Sequence, residues 1–278
     1  MISMVTCSFE RGSLLERTLH SILMQEHKKD WEVIIVDDGS TDNTIDVFHQ
    51  YKNKMPVRMF RTFRSGYVCQ NWPANCGIKQ AKGEYIIYAS PEVIHRGNTF
   101  DTIHMVLERI DALLYGTVYD LTFHDTKWIK RDRSWRKDIN ILDKFHINKQ
   151  LTGPLRDNRK GYYWIGGWRK STFLRIGGMD ERFIYGGADD KELIERFNDF
   201  DVFPVGLFSM FSPDPVIGYH QYHPRTYLTE EYKNKYLETW DLYVKIREIR
   251  EKQKAKGIVL PANADSEWGV LPPNSEVL

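Results

Sequence analysis

Two pairs of adjacent carboxylates and one spaced pair of imidazoles are the side chains here best suited to chemistry. Asp37 and Asp38 end an apolar, β-branched run, Val33 to Val36, and are followed by Gly39-Ser-Thr-Asp42. In an open α/β sheet, ligands sit beyond the carboxyl ends of the strands, and a carboxylate there makes short, charge-assisted bonds to a ligand N–H. Asp189 and Asp190 open a predicted helix, whose dipole favours their ionised form. His220 and His223 lie three apart in His220-Gln-Tyr-His223; imidazole is a common metal ligand. Each feature also has a plain structural explanation: solvated strand-end acids, helix caps, and packed or surface histidines.

The elements that position these residues follow from periodicity. Strands are predicted at Ile2–Ser8, Val33–Val36, Val57–Phe60 and Tyr85–Ala89, alternating with helices at Leu14–Gln25, Thr44–Tyr51 and Trp72–Gln80. Ser40 or Thr41 is the expected cap of the second helix, and Arg64-Ser-Gly-Tyr67 is read as a loop. This β-α-β alternation argues for a mostly parallel, Rossmann-like α/β sheet flanked by helices. Beyond it come a helix at Thr99–Arg109 and a strand at Leu113–Phe123. Residues 125–161 are charged, with Lys127, Lys130, Arg131, Arg133, Arg136 and Lys137 clustered, and read as a solvated surface segment. Order returns at Trp164–Phe183, with a helix at Asp189–Phe197 and a strand at Val202–Phe208. A long helix spans Thr229–Lys256, its Tyr232, Tyr236, Trp240 and Tyr243 spaced for packing. The tail from Gly257 reads as an extended arm.

The chain has 278 residues, 41% hydrophobic and 28% charged, with a formal net charge of +1. That composition supports a substantial core and lacks the basic footprint of a dedicated nucleic-acid binder. Cys7, Cys69 and Cys76 are odd in number and have no metal-site spacing, which favours a reducing compartment. No stretch approaches the ~18 apolar residues of a membrane span, and the N-terminus reads as a strand, not a signal peptide. The expectation is a cytoplasmic protein, peripheral to the inner membrane face if it meets a membrane.

Several motifs together resemble the inverting glycosyltransferases of family 2, with the GT-A fold. They are Val5-Thr-Cys-Ser-Phe-Glu10, Leu19-His-Ser-Ile-Leu-Met-Gln25, Val36-Asp-Asp-Gly-Ser-Thr-Asp42, Ala74-Asn-Cys-Gly-Ile78 and Ala81-Lys-Gly-Glu-Tyr-Ile-Ile-Tyr88. Ile176-Gly-Gly-Met-Asp-Glu-Arg-Phe183 and Asp189-Asp-Lys-Glu-Leu193 continue them. The resemblance covers roughly residues 1–97 and 164–223. It implies a nucleotide-sugar-binding half over 1–97, an acceptor-binding and catalytic half over 98–228, and a C-terminal helix and tail over 229–278.

The resemblance also implies roles. Thr6 and Ser8 would border the base of the donor, Asp38 would accept from it, Asp37 would brace the turn, Glu10 would lie near the ribose, and Asn75 would belong to the same donor site. The family's Asp-x-Asp is replaced by Ser90-Pro-Glu92, so Glu92 stands where the motif's metal-ligating acid falls, with His223 or His220 supplying a further ligand. Glutamate and imidazole together suit Mn²⁺ better than Mg²⁺. Asp190 would be the general base that takes the acceptor hydroxyl's proton, with Asp189 orienting the site. Trp164, Trp168, Asp180, Glu181 and His95 are the candidate acceptor-side residues. Gly166 and Gly167 allow close backbone approach, Tyr163 adds an aromatic face, and Arg169 or Lys170 could reach a diphosphate.

The function expected is therefore transfer of a sugar from a nucleotide-sugar donor, most simply UDP-linked, to a hydroxyl of a glycan or lipid-linked acceptor. Two other readings stay open: a non-catalytic nucleotide-sugar or glycan-binding module on this fold, and a transferase that glycosylates a modified nucleic-acid base. A nucleotidyltransferase is disfavoured, because Phe9-Glu-Arg-Gly-Ser13 lacks a phosphate-cradling glycine-rich loop.

Overall fold

The first four strands carry the site, and their order explains where it opens. β1 (Ile2–Ser8) pairs in parallel with β2 (Trp31–Asp37), which places Ser8 opposite Asp37. β3 (Val57–Arg61) extends the sheet beyond β2, and β4 (Tyr85–Ala89) lies parallel on the other side of β1. The chain thus runs outward from β1 to β3 and returns across β1 to reach β4. The reversal makes the carboxyl ends of β1 and β4 the topological switch point, where such sheets bind ligands. The computed structural model describes residues 1–63, 65–66, 68–152, 164–208, 215–224 and 229–278.

Both faces of this run are covered, as parallel sheets require. Ile2 and Met4 of β1 enter one core with Leu15, Leu19 and Ile22 of α1 (Gly12–Leu23) and Phe48 of α2 (Thr44–Tyr51). Burial of each such aliphatic side chain contributes roughly 1.5–3 kcal/mol. Val5 and Cys7 point to the opposite core, under α3 (Asn71–Gln80). Gly77 permits that approach: a Cβ there would lie 2.6 Å from Val5 and 2.8 Å from Val36.

The rest of the chain widens the sheet and adds a second one. After β4 come β5 (Val93–Arg96), α4 (Thr99–Arg109), β6 (Leu113–Tyr115) and β7 (Thr117–Asp120). Then follow α5 (Phe123–Arg131), β8 (Gln150–Thr152), β9 (Ile165–Arg169), α6 (Lys170–Arg175) and α7 (Asp189–Asp199). β10 (Pro204–Gly206), β11 (Ile217–His220), α8 (Glu230–Lys254) and β12 (Glu276–Val277) complete it. The eight-stranded sheet has the order β10-β6-β9-β4-β1-β2-β3-β12, with β9 and β12 antiparallel to their neighbours. A four-stranded sheet, β5-β11-β7-β8, stands beside it.

Three sequence expectations change. Leu113–Phe123 is not one strand: it splits at Gly116 into β6 and β7, which belong to different sheets, and Phe123 begins α5. A side chain at Gly116 would meet Val216 at 2.7 Å, so the crossing needs glycine. Of the segment 125–161, residues 153–161 lie outside the described residues, and 125–152 are not merely a solvated face. Ile129, Trp135, Leu142 and Phe145 form a core with Leu121, Ile217 and Tyr219. Arg136 of the basic cluster is committed to Glu16 through two bonds of 2.8 and 2.6 Å. The tail is extended but packed: Ala262 N–H donates to Ile176 O at 2.8 Å, and β12 closes on β3. The loop expected at Arg64–Tyr67 falls in part outside the described residues, as Arg64 and Tyr67 do. Among the described residues, no helix is long and apolar enough to cross a membrane.

Candidate functional site

The turn after β2 is held by its own acids. Asp37 is fully buried; its Oδ2 accepts from Ser40 N–H at 3.3 Å and lies 3.4 Å from Arg61 Nε. Burial pushes its carboxyl up, against the pull of Ser40 and Arg61. Ser40 and Thr41 do not cap α2. Ser40 Oγ accepts from Glu10 N–H, and Asp42 serves the helix ends: Oδ1 accepts from Thr44 N–H at 3.0 Å and Oδ2 from Gly12 N–H at 2.8 Å. α1 and α2 therefore start from one carboxylate. A Cβ on Gly12 would come within 2.6 Å of Thr44 N, so glycine is needed there.

Asp38 faces the other way, into a cleft of about 230 Å³ between the β1 tip, the start of α3 and the segment after β4. Its Oδ1 accepts from Thr62 Oγ1 and Ser65 N–H, both at 2.7 Å, and its Oδ2 from Ser65 Oγ at 2.8 Å. Ser8 also lines the cleft; Thr6 lies one pleat deeper, outside its lining. Both hydroxyls are buried without a hydrogen-bond partner. Glu10 lines the cleft too, but its carboxylate accepts from Thr41 N–H at 2.7 Å and Thr41 Oγ1 at 2.9 Å. Asn75 is a correction. It lies fully buried, donating to Met179 O and Glu181 Oε1 at 2.8 Å and accepting from Met179 N–H at 2.9 Å. Its amide is spent on the 178–181 loop and does not reach the cleft.

At the far end of the cleft the chain gathers metal-ligand types. One ligand atom each from Glu92, His220 and His223 lies within 4.8 Å of the others. Glu92 Oε1 is 3.7 Å from His223 Nε2 and 2.9 Å from Arg11 Nε; Ser90 Oγ donates to Oε2. Burial works to raise the Glu92 carboxyl, but His223, His220, Ser90 and Arg11 together hold it below its ordinary value. His223 Nδ1 lies 2.9 Å from Pro224 O. A carbonyl only accepts, so Nδ1 carries a proton, and Nε2 is the ring nitrogen that faces Glu92. His220 Nδ1 lies 3.1 Å from Asp120 Oδ1, and its buried Nε2 has no partner. A carboxylate behind one ring nitrogen and a bare second nitrogen form the usual support of a metal-ligating histidine. The donor set fits a divalent cation that accepts nitrogen as well as oxygen.

Asp189 and Asp190 start α7, as expected, but their electrostatics run against the helix-dipole argument. Burial raises Asp189, although it accepts from Gly187 N–H at 2.7 Å. Burial, then the neighbouring Asp189 charge, pushes Asp190 well above the ordinary carboxylate range. The dipole is a surface-scale effect within the first turn, and desolvation outweighs it. A Cβ on Gly186 would lie 3.8 Å from Asp189 Oδ1 and 4.0 Å from the Cβ of Cys69, and Cys69 lines the cleft, so the α7 terminus stands near the cavity that Asp38 enters.

The acceptor-side candidates divide. Trp164 sets its ring edge-on to His220, centroids 4.2 Å apart. Asp180 and Glu181 build the loop before α7. Asp180 pairs with Arg182 at 2.5 Å and Arg196 at 3.6 Å, and Glu181 accepts from Asn75 and from Gly269 N–H at 2.8 Å. Trp168 and His95 are corrections. Trp168 is fully buried, stacked on Phe173 at 5.4 Å, and touches no surface. His95 follows the alternation of β5 into the core beside α1; its N–H donates to Ser21 Oγ at 2.9 Å. Both His95 ring nitrogens lack partners, and burial pushes the ring down to about 3, so it stays neutral. Gly167 gives room to Ile103 of α4, 2.7 Å from where a Cβ would be, not to a substrate. Arg169 donates to Leu107 O and Lys170 to Ala81 O, which removes both from a diphosphate role. Tyr163 lies outside the described residues.

Sequence reasoning passed over three residues of this site. Phe9 lines the cleft with a ring 38% exposed. Arg11 reaches Glu92 across 81 residues, and Asp120 is the strand partner of His220 across 100. Only the position of Phe9 and Arg11 beside Glu10, just past the β1 tip, gave any local signal.

Comparison with known proteins is consistent across sequence and structure. A family model described as "Glycosyl transferase family 2" matches residues 3–164, more than half of the chain. A putative teichuronic acid biosynthesis glycosyltransferase, TuaG, of Bacillus subtilis is 34% identical over 166 residues, 56% of this chain and 65% of that protein. The chain spans less than two thirds of the length of the curated relatives it matches. Its fold is similar to that of S. aureus TarS 1-349 in complex with UDP-GlcNAc. There the TM-score is 0.60 at 14% identity, covering 84% of this chain and 64% of that one. It is also similar to the mannosyltransferase PcManGT from Pyrobaculum calidifontis in complex with GDP-Man and Mn²⁺, with TM-score 0.55, 14% identity, and 81% and 58% coverage. These structures establish the fold as GT-A.

Proposed function

Because this chain belongs to glycosyl transferase family 2, we propose that it transfers a sugar, with inversion, from a nucleotide-sugar donor to a hydroxyl of a glycan acceptor. The observation that carries the reading is the meeting of Glu92, His220 and His223 at one end of a cleft whose other end is Asp38. A nucleoside end and a cation-binding end in one cavity suit a nucleoside diphosphate. The TarS complex with UDP-GlcNAc supports a UDP-linked donor, the PcManGT complex supports Mn²⁺, and the name of TuaG supports a glycan acceptor.

In this mechanism Asp38 and Ser8 hold the base, and Asp37 keeps their turn in place through Ser40 and Arg61. Glu92, His220 and His223 would hold a divalent cation, Mn²⁺ before Mg²⁺ given two imidazoles. Bound there, it would supply positive charge against that of the departing diphosphate. Arg11, already beside Glu92, adds a guanidinium on the same side. Asp190 removes the proton of the attacking hydroxyl as that oxygen displaces the nucleotide in line. One displacement inverts the anomeric carbon, and no side chain becomes covalently attached. Burial first and the Asp189 charge second raise Asp190, the direction that makes a carboxylate a better proton acceptor.

A thermal-shift screen of UDP- and GDP-sugars, with and without Mn²⁺, tests the reading. Binding to the folded form raises apparent stability by mass action, so a metal-dependent shift with one nucleotide series is expected. A flat response to every donor in Mn²⁺ would refute it.

A further inference from the structure

A second cavity, of about 540 Å³, lies on the far side of the histidine cluster. It opens where β7 ends, α5 begins and the chain leaves β11. His223 lines both the cation cluster and this cavity, and Asp120, which holds His220, forms part of its wall. At its mouth stand two large aromatic side chains in the open: Phe123 is 52% exposed and Tyr222 45%. Their rings are nearly perpendicular, with centroids 5.6 Å apart.

The backbone beneath the rings is fixed. Tyr222 N–H donates to Thr126 Oγ1 at 2.8 Å. Thr122 and Asp125 cap α5 reciprocally just before and after Phe123, and Asn148 Nδ2 donates to that same Asp125 carboxylate at 2.9 Å. Exposed aromatic pairs on a rigid frame, beside a mostly apolar cavity that carries a few polar side chains, mark a ligand site more than a solvated surface. Their faces are apolar and carry a negative quadrupole, which suits the C–H faces of a sugar ring. Asn148 and Asp120 offer hydroxyl partners, and Lys149 puts a cation on the lining.

We propose that this cavity is a saccharide subsite for the acceptor chain, with Phe123 and Tyr222 stacking on a ring set apart from the reacting hydroxyl. This rests on the transferase reading of the adjoining cluster. The subsite is distinct from the cleft of Asp38, and neither aromatic belongs to the donor or cation residues.

Saturation-transfer NMR on the full chain with UDP and diamagnetic Mg²⁺ tests it, using chitotriose as a neutral probe and a hyaluronan tetrasaccharide as an acidic one. The expected result is transfer to the ring C–H protons of at least one oligosaccharide. That signal should fall at least fivefold in Phe123→Ala and Tyr222→Ala and be kept in Phe123→Tyr and Tyr222→Phe, with the UDP signal unchanged in all four. UDP binding without a signal from either oligosaccharide, or oligosaccharide signals untouched by both alanine variants, overturns the subsite and leaves the transferase reading standing. Absence of a signal from UDP, and from GDP used in its place, in the unaltered protein overturns the transferase reading and the subsite with it.

Discussion

His220 Nδ1 lies 3.1 Å from the carboxylate of Asp120, its direct partner in the parallel pairing of β11 with β7. The carboxylate fixes the tautomer and leaves Nε2 bare in a buried site. Removing such a support costs about 10–100-fold in metal affinity. Asp120→Ala is therefore expected to weaken Mn²⁺ binding by that order in calorimetric titration, with the fold intact by circular dichroism. Unchanged Mn²⁺ affinity would mean that His220 is not a ligand.

Asp190→Asn is expected to lower transfer by at least 10²–10⁴-fold, the range of a lost general base, with the Kd for UDP nearly unchanged. The pH dependence follows from the raised carboxyl. The base works only when ionised, so activity should fall as pH drops through a value above the ordinary carboxylate range. Stability has the opposite slope. A carboxyl whose folded value exceeds its unfolded one binds more protons when folded, so its favourable contribution is present below the unfolded value and lost as pH rises through the folded one. Asp190→Asn should accordingly raise the Tm at neutral pH and have little effect at acid pH. Equal transfer in the variant contradicts the assignment.

Arg11 Nε and His223 Nε2 approach the same oxygen of Glu92, at 2.9 and 3.7 Å. A cation bound by Glu92 has to share or displace that guanidinium. In Arg11→Ala the Kd for Mn²⁺ alone should fall severalfold while the Kd for UDP rises, since one positive group on the diphosphate side is gone. Parallel changes in both constants would show that Arg11 serves folding, not the site.

Trp168 tests the boundary between core and acceptor side. It stacks on Phe173 and tilts against Phe197 at 5.8 Å, with no exposed surface. Trp168→Ala should cost about 3–5 kcal/mol of stability, the range for a deleted core aromatic, and below its lowered Tm should leave the acceptor KM unaltered. A selective rise in acceptor KM with normal Tm contradicts the core placement.

How far the sequence could be read depended on the range of the interactions involved. β1 to β4 and their helices were legible to within two residues at each end, because both faces of these strands are buried and the helical stripes are clear. The crossing at Gly116 was not, since its cause is Val216, a hundred residues away. The four-residue strands β5 and β11 are too short to show a period, and in β9 the pair Gly166-Gly167 hides it. The ligand types Glu92, His220 and His223 were readable as candidates, but their support, Asp120, exists only through strand register. Trp168 and His95 misled for the same reason: residue type suggested a ligand contact, and the pleat of β9 and β5 sends both side chains inward. Asn75 was readable as part of Ala74-Asn-Cys-Gly-Ile78, but the bonds that commit its amide were not, because its partners Met179 and Glu181 are over a hundred residues distant.

The most direct test of the account is calorimetric titration of UDP into the unaltered protein and into Glu92→Ala, each with and without Mn²⁺. The account predicts that Mn²⁺ tightens UDP binding at least tenfold in the unaltered protein and has no such effect in Glu92→Ala. Equal enhancement by Mn²⁺ in both proteins would contradict it.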